Sequence, residues 1–422
     1  MSRSHSMIHP QKFVLLFIGL CLIIPSLLFA QSYDLLLKDG HVIDPKNGID
    51  GIYDIAISEG TIAIVQEEIS EADAEKVVDA SGLYVTPGII DMHSHNYYGT
   101  EPNRAYSNGF NALPPDGFTF RSGVTTVVDV GGAGWRNFQH FKSQVIDRSQ
   151  TRMLAFINIV GDGMSGVPEQ NLDDMDPRMT SIVANQHEEI VGVKIAHYNG
   201  RDWEPYHRTV EAAERADIPV MVDFGGAIPP LPLDSLLHDV LRPGDIYTHV
   251  YGGGVEVRQA VIDENGKLRE GMLEAQENGI IYDVGHGGGS FFYSVAVPAI
   301  EQGLWPNTIS TDIHVGSMND GMKDMANLMS KFMNMGMTLQ EVIEASTWKP
   351  AQVIKREELG HLTEGAVADI SVFSLQEGDF KFLDAREFSL PGTQKLQPEL
   401  TIRAGNVVWD LNGLAATPYE EE

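Results

Sequence analysis

The clearest chemical signal in the chain is TPGIIDMHSH, residues 86–95, an apolar run that ends in His93 and His95. Side chains repeat with a period of two along a strand, so both imidazoles leave the same face near the carboxyl end. Two neutral imidazoles side by side can supply half of the ligands of a metal site. Because pairs of surface histidines also arise by chance, the assignment depends on ligand-type residues elsewhere in the chain.

Further titratable side chains lie near the ends of other apolar segments. They are Lys194, Asp223, His249, His286, Asp312 and His314. Each has an ordinary structural explanation when taken alone, such as pairing with a carboxylate, capping a helix or bonding to a loop. Burying many unpaired charges in one place costs free energy, so a bound cation that neutralises them explains the set better.

Lys194 lies in the apolar segment GVKIA. Removal from water lowers the pKa of a lysine and favours its neutral amine. A neutral amine can react with carbon dioxide to form a carbamate, and the two carbamate oxygens could bridge a pair of metal ions.

Eight apolar segments in the middle of the chain have the composition of buried parallel strands. They cover residues 89–95, 124–132, 153–161, 190–198, 218–226, 245–253, 279–287 and 307–314. Helical patterns such as 209–216 and 262–278 fall between them. The alternation predicts a (β/α)8 TIM barrel over residues 87–355, in which active sites lie at the carboxyl ends of the strands.

Shorter strand patterns with turns occupy both ends of the chain. Residues 31–86 and 356–422 are predicted to form one small β-sandwich domain. The pairs Asp39-Gly40, Glu59-Gly60 and Ser81-Gly82 predict turns within the first of these pieces.

The composition argues against some classes of partner. The 422 residues include 29 Lys and Arg against 59 Asp and Glu, for a formal net charge of −30. Such a chain is expected to repel nucleic acid and anionic membrane surfaces. We expect a small-molecule substrate, and homo-oligomerisation stays open.

Residues 1–30 have the pattern of a secretory signal peptide, with Arg3 and Lys12 before an apolar run and a cleavage site after Ala30. The large Leu28 leaves a retained N-terminal anchor as the alternative. Cleavage would give a secreted or periplasmic protein. Cys21, the single cysteine, lies in this segment, so the mature chain would have neither disulfides nor a catalytic thiol.

Together these segments resemble the amidohydrolase superfamily, in the amidohydrolase/deacetylase or dihydroorotase-like subgroup. The resemblance covers nearly all of the chain after the signal segment. Its motifs are VTPGIIDMHSH, GVTTVVD, GVKIAHY, DIYTHVYGG, IIYDVGHGGGSF, ISTDIH and KPAQVI with GHLTEGAVADISVF. They are specific for the superfamily and much less specific for the substrate.

The resemblance implies two divalent ions, expected to be zinc, bridged by a carbamylated Lys194. It implies His93 and His95 as ligands of the more buried ion and His249 as a ligand of the more exposed one. Asp312 would bind the buried ion and act as the general base.

Two further histidines, His286 and His314, match positions that contact substrate or orient other groups. His286 is the next candidate for a catalytic role after Asp312.

One position departs from the family pattern. The fifth strand of such enzymes usually ends in a histidine ligand, and here the residue is Asp223. Aspartate also binds zinc through oxygen, so two ions can still be held, although the added negative charge would weaken the Lewis acidity of the exposed one. The exposed site could instead be weak or empty, and His197 is a possible substitute ligand or a histidine that contacts the next loop.

The expected reaction is attack of a metal-bound hydroxide on the carbonyl of an amide, in an N-acyl amino acid, a dipeptide-like compound or a cyclic amide. A substrate carboxylate would need an arginine at the mouth, for which Arg104, Arg136 and Arg201 are candidates. The alternatives are deacetylation of an acetylated hydroxy acid, a non-hydrolytic relative that uses one metal, and a barrel that binds ligand without turnover.

Overall fold

The computed structural model describes residues 33–97, 112–164 and 167–419. Strands and helices alternate through the middle of the chain, and a separate sheet is built from its two ends. The predicted signal segment, residues 1–30, lies outside the described residues. Among the described helices, none is both long and apolar enough to cross a membrane.

The end sheet combines five strands from the start of the chain with three from its end. The strands are β1 Leu35–Asp44, β2 Ile49–Ser58, β3 Thr61–Gln66, β4 Val77–Asp79, β5 Tyr84–Pro87, β13 Ile370–Leu383, β14 Ser389–Arg403 and β15 Asn406–Asp410. Their order is β15-β14-β13-β5-β1-β2-β3, with β4 also paired to β1. Pairing of β5 with β13 joins the two chain ends, as the predicted β-sandwich domain requires.

Two of the three predicted turns are confirmed. Glu59-Gly60 connects β2 to β3 with φ of 50° and 75°, the geometry of a tight two-residue hairpin, and Ser81-Gly82 forms a turn before β5. The turn predicted at Asp39-Gly40 is wrong, because both residues lie inside β1 at an irregularity in its pairing. A Cβ on Gly40 would lie 2.5 Å from Cγ2 of Val85, so the glycine serves close packing there.

The central sheet consists of parallel strands that close on themselves, which confirms the predicted TIM barrel. The strands are β6 Ile89–Ser94, β7 Val124–Gly134, β8 Arg152–Asn158, β9 Ile190–Ile195, β10 Val220–Val222, β11 Ile246–Tyr247 and β12 Ile281–Tyr282. The extended segment 308–313 closes the barrel through parallel bridges from Thr308 to Asp283 and from Ile313 to Ser94. Most strands are shorter than predicted because their carboxyl ends leave the sheet to form the site.

Helices separate most of the strands. Their bounds are α1 Phe138–Gln144, α2 Pro177–Ala184, α3 Glu204–Ala216, α4 Leu233–Ser235 continued by a π-helical turn over Leu236–Val240, α5 Met272–Glu277, α6 Tyr293–Glu301, α7 Met325–Met335, α8 Leu339–Glu344 and α9 Trp348–Val353. The helix predicted over 209–216 is confirmed within α3. The helix predicted over 262–278 is wrong except for α5, because Gly266 and Gly271 adopt positive φ and Ile262 pairs with Leu268.

Helix α7 links the end sheet to the barrel mouth. Its Ser330 Oγ accepts a hydrogen bond of 2.9 Å from the Leu396 amide, and its Asn334 Nδ2 donates one of 2.7 Å to the Gln394 carbonyl. Both partners belong to β14. Lys331, which directly follows Ser330, is thereby held in place beneath the site.

Candidate metal centre

Three ligand-type side chains from different strand ends converge at the barrel mouth. One ligand atom each from His93, His249 and Asp312 lies within 4.8 Å of the others, and all three residues are buried. Nε2 of His93 lies 3.5 Å from Oδ1 of Asp312, and Nε2 of His95 lies 2.9 Å from the same oxygen. The structure thus brings these four predicted ligands together.

Hydrogen bonds fix which nitrogen each imidazole presents to the site. Thr248 Oγ1 donates to Oδ2 of Asp283 at 2.7 Å, so it accepts from Nδ1 of His93 at 2.9 Å. Nδ1 of His249 donates to the Gly285 carbonyl at 2.6 Å. Both rings therefore direct Nε2 rather than Nδ1 into the site, the arrangement that orients metal-binding histidines in proteins.

Asp283 helps to orient His93 from the side of the ring that faces away from the ligand cluster, and the sequence pattern alone does not indicate this role. Its carboxylate is fully buried, accepts hydrogen bonds from Thr248, Thr308 and Ser310, and lies 3.6 Å from Nδ1 of His93. Burial alone would raise its pKa, but the interactions with His93 and with these hydroxyls outweigh burial and hold the pKa below the usual value. In the strand-seven segment IIYDVGHG, the aspartate therefore orients His93 directly and through Thr248, in addition to the histidine that the sequence pattern indicates.

Lys194 is 1% exposed, and its Nζ makes neither a hydrogen bond nor an ion pair with any other described residue. It lies on β9, in register with Asn158 on one side and Met221 on the other. Burial lowers its pKa by more than the nearby Asp223 and other carboxylates raise it, which shifts the equilibrium of this lysine towards the neutral amine. A Cβ on Gly131 would lie 2.8 Å from its Cγ, so the lysine stem fills the space that this glycine leaves.

Asp223 follows β10 directly and faces two histidines. Its Oδ2 lies 3.6 Å from Nε2 of His249 and 3.5 Å from Nε2 of His197, while Oδ1 contacts Nη2 of Arg258. Burial would raise the pKa of this carboxyl, but Arg258 and His249 hold it well below the usual range. His197 also contacts Glu169 at 3.2 Å. Glu169 lies in a 3-10 helix before β9 and not in the next loop, which the structural alternative for His197 required.

The two remaining predicted histidines have different surroundings. His286 is fully buried and stacked on Phe291, with Nδ1 bonded to the Gly287 carbonyl at 2.8 Å and Nε2 to Nζ of Lys331 at 2.8 Å. Both ring nitrogens are therefore bonded to protein groups, which favours a positioning role over the predicted catalytic or substrate-binding one. The ring of His314 lies 6.1 Å from that of His95, and burial lowers its pKa.

Lys331 is a second buried lysine that the sequence analysis did not identify. Its Nζ donates to the Gly321 carbonyl at 2.6 Å and contacts His286, and the residue has no exposed surface. Burial lowers its pKa to about 7. It lies on α7 among buried apolar residues that include Leu328, Met329 and Phe332.

Of the three arginines predicted at the mouth, the two that the structure describes are directed elsewhere. Arg104 lies outside the described residues, Arg201 is exposed, and Arg136 pairs with Asp174 and stacks on Trp135. The arginine that reaches the cluster is Arg258, in the segment that follows β11.

The donor set fits a divalent metal. It combines imidazole nitrogens with a carboxylate, the ligands that zinc accepts in cysteine-free sites. Glycines leave space around it: a Cβ on Gly285 would lie 2.8 Å from Nδ1 of His249, and one on Gly287 would lie 2.2 Å from Oδ2 of Asp312.

Comparison with known proteins decides the family. A family model described as "Amidohydrolase family" matches residues 296–408. A curated "Deacetylase" of Brucella anthropi is 35% identical over 347 residues, which cover 80% of this chain and 83% of the relative. A "Deacetylase" of Enterococcus faecalis is 30% identical over 389 residues, covering 89% and 99%.

The chain belongs to the amidohydrolase superfamily.

Solved structures agree with this assignment. The crystal structure of an adenine deaminase matches this amidohydrolase with a TM-score of 0.80 and 27% identity, covering 90% of this chain and all of the other. That of a dihydroorotase matches with a TM-score of 0.77 and 29% identity, covering 89% and 99%. The amidohydrolase is a metal-binding hydrolase that acts on C–N bonds.

Proposed function

We propose that this amidohydrolase cleaves an amide bond of a small acylated substrate with the help of two zinc ions bridged by carbamylated Lys194. The observation that carries the proposal is the convergence of His93, His249 and Asp312 around a buried lysine that has no partner among the described residues. An unpaired buried amine is costly to maintain, and conversion into a metal-binding carbamate would satisfy it.

The residues divide into two ligand groups. His93, His95 and Asp312 would hold the more buried ion, and Asp223 and His249 the more exposed one. When bound, the ions supply Lewis-acid activation of water and of the substrate carbonyl.

Asp312 is the proposed general base and proton carrier. Its Oδ1 is fixed by Nε2 of His95, and burial, which raises its pKa, is outweighed by His93 and His95, so the group stays ionised at neutral pH. An ionised carboxylate held in this way can take a proton from the attacking water and return it to the leaving nitrogen.

The proposed substrates are N-acyl amino acids, dipeptide-like compounds and cyclic amides that carry a carboxylate. The name deacetylase, which three relatives carry, supports a small acyl group such as acetyl in the substrate of this chain. Because that name does not distinguish nitrogen from oxygen as the leaving atom, an acetyl ester of a hydroxy acid is the second candidate.

The test uses the mature chain, residues 31–422, freed of metal by chelation and reloaded with zinc. It is assayed against the D and L enantiomers of N-acetyl and other N-acyl amino acids, and against dipeptides, cyclic amides and O-acetyl hydroxy acids. We expect turnover of an amide that is lost on chelation and returns with zinc. Turnover by verified metal-free protein, or zinc binding without hydrolysis of any class, would contradict the proposal; the second result would favour the binding barrel.

We also propose export through residues 1–30, based on the basic start and apolar run of that segment. N-terminal sequencing of protein recovered from the periplasm of a Gram-negative host should begin at Gln31. An intact terminus in the membrane fraction would favour the anchor, and one in the cytoplasm would refute export.

A further inference from the structure

Arg258 is nearly enclosed beside the proposed exposed metal position. Its side chain is 15% exposed, and Nη2 contacts Oδ1 of Asp223. Two glycines make room for it: a Cβ on Gly225 would lie 2.9 Å from Nε, and one on Gly252 would lie 3.3 Å from Nη1. The guanidinium is thus packed against the loops after β10 and β11.

The two oxygens of the Asp223 carboxylate face different groups. Oδ1 meets the guanidinium, while Oδ2 faces Nε2 of His249 at 3.6 Å. A guanidinium stays protonated in proteins, so Arg258 always brings one positive charge. Asp223 brings one negative charge, and the two together add no net charge to the site.

A carboxylate ligand by itself would attract the cation more strongly than a neutral imidazole and would reduce its power to polarise a carbonyl. A guanidinium bonded to the distal oxygen withdraws part of that charge and leaves the proximal oxygen free to bind. The positive and negative charges of such a pair offset each other most strongly at buried positions, where solvent screening is weak.

We propose that Arg258 cancels the charge that Asp223 adds to the metal centre, so that the pair acts as one electrically neutral ligand. Arg258 is a positioning residue in this scheme and touches neither metal nor substrate. The inference rests on the proposed function, in which Asp223 binds the exposed ion.

The decisive measurement is the zinc affinity of the weaker site in apo mature protein, determined by competition with a chelating dye. Arg258→Gln should bind zinc about tenfold or more tightly, because the carboxylate is no longer compensated. Asp223→His should bind about tenfold or more weakly, because the arginine charge is left without a partner. The double variant Asp223→His with Arg258→Gln should return to within about threefold of wild type.

Two controls separate charge from structure. Arg258→Lys keeps the positive charge and should stay close to wild-type affinity. Arg136→Gln removes an arginine that pairs with a buried aspartate, Asp174, outside the cluster, and should leave zinc affinity unchanged.

Three results would overturn the inference. The first is wild-type affinity or weaker binding in Arg258→Gln, which would show at most a structural role. The second is a double variant whose zinc affinity differs from wild type by about tenfold or more, because the two charge changes would then not cancel. In both cases a wild-type protein that binds two ions leaves the proposed function standing. The third is a wild-type protein that binds fewer than two ions, which removes the two-ion proposal together with this inference.

Discussion

Gly287 lies against the proposed base, and its replacement by alanine should disable the site without dismantling the barrel. A Cβ at this position would lie 2.2 Å from Oδ2 of Asp312, about 1 Å closer than carbon and oxygen normally approach. The Gly287 amide donates to the Thr311 carbonyl at 2.9 Å, which restrains the backbone. The Asp312 carboxylate must therefore move by about 1 Å and weaken its 2.9 Å contact with His95.

A misplacement of about 1 Å at a reacting group costs about 10²-fold in rate, so kcat for Gly287→Ala should fall by about that factor. The positive φ of 52° adds about 1–2 kcal/mol of strain for an L-residue, which should lower the free energy of unfolding by that amount. Steady-state kinetics and thermal unfolding measure these two effects, and metal analysis shows whether the displaced carboxylate still holds its ion.

The neighbouring glycine supplies a matched control. A Cβ on Gly289 would meet no atom within 4 Å, so Gly289→Ala should behave as wild type. A folded Gly287→Ala protein with wild-type kcat and metal content would refute the placement of Asp312 on which the mechanism depends.

Four further changes test other parts of the site. Asp312→Asn should lower kcat by about 10²–10⁴-fold while losing less metal than variants of the bridging lysine, and a near wild-type rate would exclude it as the base. Asp223→Ala should lose one metal ion per chain, and an unchanged metal count would remove it from the ligand set. Thr248→Val should weaken zinc binding about 10–100-fold by breaking the link from His93 to Asp283, and unchanged affinity in equilibrium dialysis would contradict that role. Lys331 has a pKa of about 7 in the folded protein, compared with about 10.5 in the unfolded chain. Between pH 7 and pH 10.5 the unfolded chain therefore binds more protons than the folded protein, so the free energy of unfolding rises with pH over this range. Denaturant unfolding should show wild type gaining about 2 kcal/mol more than Lys331→Met between pH 7 and pH 9, and parallel curves would exclude the low pKa.

The barrel and the end sheet could be predicted because their signals are local. Runs of apolar residues at regular spacing specify buried strands, and Glu59-Gly60 specifies a hairpin through its own backbone preferences. Asp39-Gly40 has the same kind of signal but lies within a strand, because packing against Val85 decides its conformation. Similarly, 262–278 has helical composition, but Gly266 and Gly271 divide it.

The groups expected at the metal centre were visible because they end strands, and parallel strands bring their carboxyl ends together. Arg258 and Lys331 carry no such positional signal. Arg258 lies in an irregular loop and Lys331 in a methionine-rich helix, and each reaches the site across elements that are distant in sequence. Their burial, which gives them a role, is a property of the tertiary structure alone.

The most direct test of the metal-centre proposal is a crystal structure of the mature, zinc-loaded protein with anomalous diffraction at the zinc edge. We expect two anomalous peaks, one among His93, His95 and Asp312 and the other between Asp223 and His249. We also expect density for a carbamate beyond Nζ of Lys194 that joins the two. An unmodified lysine beside bound zinc would contradict the bridge, and the absence of zinc from these residues would contradict the metal centre itself.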